Sequence, residues 1–132
     1  MNFKYWNLKN LKIIFFMNKP YDLEERTFLF AKECRTYIRT LSKTTSNIED
    51  GKQLIRSSGS VGANYIEANE KLGDKDLIFR LKISRKEAKE SKFWLRLLHE
   101  LNPDQRMISD SLLFEVEELR KILSAIITKT SK

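Results

Sequence analysis

A run of very small residues sits inside a helical hydrophobic pattern between Arg56 and Ala68, and few folds can accommodate it. The segment reads Arg56-Ser57-Ser58-Gly59-Ser60-Val61-Gly62-Ala63-Asn64-Tyr65-Ile66-Glu67-Ala68. Leu54, Ser58, Val61, Tyr65 and Leu72 fall on one narrow arc at roughly 100° per residue, which is helical spacing. Gly59 and Gly62 nevertheless cost a helix about 1 kcal/mol each relative to Ala. Close approach of a neighbouring backbone offsets such a cost, because small side chains remove the spacer between helices. The run therefore predicts a tightly packed helical seam. The competing reading is a phosphate-cradling loop over Ser57 to Gly62. It fails because the Gly-Lys-Ser/Thr ending of a P-loop is missing and no strand pattern precedes the segment.

The rest of the chain agrees with helices. Four Gly and two Pro in 132 residues leave little turn chemistry for a β-sandwich or barrel. The length predicts one domain with an ordinary core. A hydrophobic share of 41% and a charged share of 33% fit a folded chain. The single Cys34 cannot form an internal disulfide. Its apolar neighbours at helical spacing mark it as a core residue of a reduced, cytoplasmic protein.

Residues 1–20 read as a basic N-terminal tail, peripheral to a helical domain over residues 21–132. Lys4, Lys9, Lys12 and Lys19 meet no acid up to Pro20. The apolar run Ile13 to Met17 is far shorter than the roughly 20 residues of a membrane span, so no membrane association is expected. Asn18-Lys19-Pro20-Tyr21 is not a small-residue cleavage site. Met17 is an alternative start, which would leave residues 1–16 as an extension without a structural role.

Four helices are predicted. The first spans Asp22 to Ser42, with Asp22 as N-cap and Thr27, Phe30, Ala31, Cys34, Ile38 and Leu41 on one face. Thr44 to Asn47 is a polar connection. The second helix runs from Ile48 or Asp50 to Leu72, closed by Gly73. The third is capped by Asp74 and ends at Leu101, before Asn102-Pro103. The fourth is capped by Ser109 or Asp110 and runs to Thr128, with Leu112, Val116, Leu119, Leu123 and Ile126 as its core stripe. Short connections imply an all-α, antiparallel up-down-up-down four-helix bundle.

The third helix is sorted into three faces. Leu77, Leu81, Ser84, Ala88, Ser91, Leu95 and Leu98 make an apolar stripe with a small centre, matching the small centre of the second helix. Phe79, Ile83, Phe93, Trp94, Leu97 and Leu101 make a second apolar stripe. Between them lie Lys75, Lys82, Arg85, Lys86, Lys89, Lys92 and Arg96, within an arc of roughly 120°. One bundle needs only one apolar stripe per helix. The second predicts self-association through Phe79, Ile83, Phe93, Trp94 and Leu97. The alternative cover is the tail, through Phe3, Tyr5, Trp6, Phe15 and Phe16.

The run Arg56 to Ala68 resembles the signature of the four-helix-bundle proteins encoded in intervening sequences of bacterial 23S rRNA genes. Arg80-Leu81-Lys82-Ile83-Ser84-Arg85-Lys86-Glu87-Ala88-Lys89-Glu90-Ser91 and Phe93-Trp94-Leu95-Arg96-Leu97-Leu98 are similar to that family's second signature. The resemblance covers Tyr21 to Thr128. It implies a homopentamer of antiparallel four-helix bundles forming a tapered barrel. The family includes the accessory variability determinant of diversity-generating retroelements, a basic barrel that works with a reverse transcriptase and associates with nucleic acid. The resemblance brings no catalytic residue and no cofactor.

The formal net charge of +7 favours an anionic partner. Lys82, Arg85, Lys86, Lys89, Lys92 and Arg96 are the candidate contacts to RNA or DNA phosphates, a mode of binding with little sequence specificity. Tyr65, Trp6 and Tyr37 are secondary candidates for base stacking. The rival function is a protein-interaction adaptor for a reverse transcriptase or a ribosome-associated partner. No enzyme is expected. His99 is the lone histidine; it and the adjacent Glu100 cannot share one helix face, and a metal site needs three or four ligands. No Ser-His-Asp or Cys-His spacing stands out, and Glu24-Glu25 and Glu117-Glu118 suit a solvated helix surface.

Overall fold

Asp22 opens the first helix: its carboxylate accepts the Glu25 amide at 3.3 Å. This helix, α1, runs Leu23–Thr40, with Glu24 and Glu25 at its positive end and Arg39 at its negative end. The computed structural model describes residues 22–70 and 72–131. The basic tail, its aromatic residues and the stacking candidate Trp6 lie outside them. Among the described residues there are four α-helices and no strand.

The second helix, α2, spans Thr45–Asn69 and starts before the expected Ile48. The polar stretch read as a connection is in fact its cap. Thr44 Oγ1 accepts the Asn47 amide at 3.2 Å, as an N-cap threonine does. The far end is also corrected. Leu72 is 95% exposed and outside α2, so it does not extend the buried arc. Gly73 does not close α2; it precedes the third helix in an extended conformation. That helix, α3, occupies Asp74–Leu101, with Asp74 in its first turn rather than at the cap. Pro103–Gln105 form a single 3-10 turn that leads directly into α4, Arg106–Thr130. Proline is well suited to such a first turn because its missing N–H would be unpaired there anyway. Ser109 therefore lies inside α4, not at its start.

The core draws on all four helices. Phe30, Cys34 and Tyr37 come from α1, Leu54 and Val61 from α2, Leu81 and Leu95 from α3, and Leu112, Leu119 and Leu123 from α4. At the end of α4, Ile127 is buried and Ile126 only half-buried, one residue later than the spacing implied. Tyr37 is fully buried, which removes it as a base-stacking candidate. Burial pushes its hydroxyl pKa up, an effect that the neighbouring Ser109 hydroxyl partly opposes. Tyr65 packs against the core from its edge. Burial also pushes the Cys34 thiol well above its ordinary pKa, as befits a core residue.

The small-residue run lies between two neighbours. Towards α3, Ser84 Oγ donates to the Val61 carbonyl at 2.7 Å, and Ser91 Oγ lies 2.9 Å from Ser57 Oγ. Towards α1, a methyl group at Gly62 would sit 2.9 Å from Thr27 Oγ1 and 3.2 Å from Thr27 Cβ. Side chains longer than serine on the α3 side, or any side chain at Gly62, would push the helices apart. One end of the fold is closed by a reciprocal amide pair. Asn47 Nδ2 donates to Asn102 Oδ1 at 2.9 Å, and Asn102 Nδ2 donates to Asn47 Oδ1 at 2.8 Å. The same groups also donate to the Ser42 carbonyl just beyond α1 and to the Leu98 carbonyl in the last turn of α3. On the other side, Arg26 of α1 grips Glu115 of α4 through two bonds of 2.8 Å.

Two glycines in the same run should respond oppositely to alanine. Gly62→Ala forces Thr27 to move and is expected to destabilise the fold by about 1–2 kcal/mol. A methyl at Gly59 meets only the end of the Arg35 side chain at 3.3 Å, which can shift by a few tenths of an ångström at the expense of its 3.2 Å bond to the Ile55 carbonyl. Gly59→Ala should then be neutral or stabilising, by up to about 1 kcal/mol from helix propensity. Urea unfolding of both variants decides it; equal shifts would show that the seam is not tight at Gly62. Asn102→Ala leaves the buried Asn47 amide short of a partner and should cost about 1–3 kcal/mol in the same assay.

Candidate nucleic-acid interface

The candidate site is the outer face of α3, and its geometry follows from which sides of that helix its neighbours cover. The stripe Leu81, Ser84, Ala88, Ser91, Leu95 and Leu98 is buried. On the α2 side, Arg56 binds Glu87 at 3.0 Å and also pairs with Glu90. Glu87 is 6% exposed, so this pairing keeps a buried carboxylate compensated. On the α4 side, Lys92 Nζ meets Glu117 at 3.0 Å, and Arg85 donates to Ser124 Oγ at 3.3 Å.

The six candidate phosphate contacts thus divide. Arg85 and Lys92 are half-buried and turned to α4. Lys82, Lys86, Lys89 and Arg96 are exposed. No carboxylate pairs with these four among the described residues, whereas Lys92 and Arg56 on the flanks are paired. At about 1.5 Å per residue the exposed row runs some 20 Å along the helix.

The second apolar stripe divides as well. Ile83 and Trp94 are half-buried, and Trp94 packs on the core while its indole N–H donates to Glu90 at 3.4 Å. Phe79, Phe93 and Leu97 are exposed, at 58%, 53% and 36%. Phe93 is four residues from Lys89, seven from Lys86 and three from Arg96, so it shares the face of the cations. Its ring meets Trp94 edge to face, with centroids 5.0 Å apart.

Two arrangements escaped sequence reasoning. Lys32, Arg35 and Arg39 of α1 border a groove of about 570 Å³ between α1 and α2, floored by Gly59, Gly62 and Ala63. Arg35 is held there by the Ala31 and Ile55 carbonyls, at 2.9 and 3.2 Å. The i, i+3, i+7 spacing of these cations was a readable signal. The second is a serine, histidine and aspartate brought together where α3 meets α4. His99 Nδ1 lies 2.6 Å from Ser109 Oγ, and His99 Nε2 lies 3.6 Å from Asp110. Ser109 is fully buried and also bonds its own helix backbone, so its oxygen offers no approach to a substrate. The contact joins α3 to α4. Nothing in the ten-residue separation announced it. Among the described residues no three His, Cys, Asp or Glu converge as metal ligands, and no helix is long and apolar enough to cross a membrane.

Comparison with known proteins adds a family. The family model described as "23S rRNA-intervening sequence protein" matches residues 21–125. A solved structure from Bacteroides thetaiotaomicron, a protein of unknown function from the S23 ribosomal protein family, is 30% identical. It superposes with a TM-score of 0.72 over 80% of this chain and 94% of that chain. No curated protein matches at a significant level.

The Lys92 contact carries a pH signature. Arg120 first, and Lys92 second, hold the Glu117 carboxyl down from 4.5 to about 2. A depressed carboxyl pKa stabilises the fold fully above about pH 4.5, and that contribution is lost as pH falls through about 2. Thermal unfolding across that interval should show a shallower acid loss in Glu117→Gln than in the parent protein. Superimposable acid limbs would mean that the contact contributes nothing.

Proposed function

We propose that this chain, which belongs to the 23S rRNA-intervening sequence protein family, binds RNA or DNA through the outer face of α3, with little sequence preference and without catalysing a reaction. The observation that carries the reading is the exposed row Lys82, Lys86, Lys89 and Arg96, which the intramolecular ion pairs leave uncompensated. Phosphates would neutralise these charges, with release of counterions as the driving force.

The protein acts as a homo-oligomer, with the family likeness pointing to a pentamer of antiparallel up-down-up-down bundles in the cytoplasm. Contacts between α2 and α3 run in opposite chain order, Asn47 with Asn102, Ser57 with Ser91 and Val61 with Ser84, which supports the antiparallel arrangement. Exposed Phe79 and Leu97, with Ile83 and Trp94 beside them, support self-association. A second reading, an adaptor for a reverse transcriptase or a ribosome-associated protein, is favoured by the groove between α1 and α2. There Phe28, Ala31 and Ile66 give an apolar lining, and Lys32, Arg35 and Arg39 outnumber the one acid, Glu24, as a partly acidic protein surface would require.

A mobility-shift titration against a structured RNA tests the main reading. Four phosphate contacts per protomer predict that log K falls against log salt with a slope of about −3. Changing Lys82, Lys86 and Lys89 together to Glu should abolish the shift. Absence of binding at low salt, or undiminished binding by the triple variant, sinks the proposal.

A further inference from the structure

We infer that the strand bound on α3 is single-stranded, and that one of its bases stacks on Phe93. The inference rests on the nucleic-acid reading above and narrows its ligand class. Phe93 is 53% exposed among Lys86, Lys89 and Arg96, all within two turns on its own helix face. A large apolar ring in the middle of an unpaired cationic row is costly to hydrate and needs a partner that is both anionic and flat. The ring is also held in place. Trp94 touches it edge to face at 5.0 Å, and Trp94 is itself seated on the core and hydrogen-bonded to Glu90. An edge contact leaves a face of Phe93 open.

Duplex nucleic acid would answer the lysines but not the phenylalanine. Its base faces are hidden in the stack, and the outside of the helix presents phosphate and sugar. A single strand offers phosphates to Lys82, Lys86, Lys89 and Arg96 and an exposed base face to Phe93, whichever base that is. A second copy of this chain is the weaker occupant of this spot. Burying Phe93 against another protomer would also desolvate Lys86, Lys89 and Arg96, which have no carboxylate partners among the described residues.

The test uses the full chain with a fluorescein-labelled, mixed-sequence DNA strand of about 12 nucleotides, free or annealed to its complement. Anisotropy titrations are run on the parent protein, Phe93→Ala and Phe93→Trp, with light scattering on each. The expected result is tighter binding of the free strand than of the duplex. Phe93→Ala should weaken the free strand roughly tenfold, Phe93→Trp should restore it, and duplex binding should not change. Equal affinity for strand and duplex overturns the inference while leaving the nucleic-acid reading intact. So does a Phe93→Ala variant that binds the strand normally but loses mass by light scattering, which assigns Phe93 to a contact between copies. If neither strand nor duplex binds, the nucleic-acid reading falls and takes this inference with it.

Discussion

How near α2 can lie to its neighbours governs the whole arrangement. Ser84 reaches from α3 to the Val61 carbonyl, and Thr27 of α1 rests where Gly62 has no side chain. Both contacts need α2 to present almost nothing but backbone. Glycine in mid-helix loses conformational entropy on folding, and close packing on two sides returns dispersion energy over many atoms. The serines do a second job. Ser57, Ser84 and Ser91 are buried yet hydrogen-bonded, so the seam contains polar groups without orphaning them. The reciprocal Asn47–Asn102 pair then sets the register at one end, because a shift of either helix would leave both side-chain carbonyl oxygens unsatisfied in the interior.

That packing also decides which charges are available. The side of α3 facing α2 consumes Glu87 and Glu90 through Arg56, and the side facing α4 consumes Lys92 through Glu117. What is left pointing outward is a row of cations with Phe93 among them, beside the exposed Phe79 and Leu97. The surface is thus defined by subtraction. The Arg56–Glu90 and Lys92–Glu117 pairs are partly exposed and the electrostatic contribution of each is small, but each ties up a carboxylate beside the row.

Much of this was legible from residue order. The third helix can be read along its length to its C-terminal end, since Asn102-Pro103 is a strong stop and the seven-residue repeat of Leu81, Ala88 and Leu95 is unbroken, although its cap is Gly73 rather than the expected Asp74. The starts of α2 and α4 were not, and for related reasons. Thr44 and Pro103 are residues that appear in loops and in first helical turns alike, and only hydrogen-bond geometry separates the two uses. Leu72 misled because it continues the helical spacing of the buried arc after the helix itself has ended. Tyr37 is ambiguous in the same way: an amphipathic ring suits both a core and a binding surface. In the candidate site, the cationic stripe follows from spacing alone. That Arg85 and Lys92 are tied to α4 does not, because Ser124 and Glu117 are distant in the chain.

Local composition and period alone determined that this chain is helical, that Arg56 to Ala68 must lie in a close-packed seam, and that α3 carries more apolar surface and more positive charge than one core can absorb. These properties belong to single helices, where neighbours in space are three or four residues apart in sequence. Only the tertiary structure decided which of the α3 cations remain unpaired among the described residues, that His99 bridges the buried Ser109 and the exposed Asp110 where α3 meets α4, and that a groove bordered by Lys32, Arg35 and Arg39 opens above the glycines of α2. Each of these depends on how two helices are rotated against one another. Such rotation is set by the summed packing of both surfaces and is encoded at no single position.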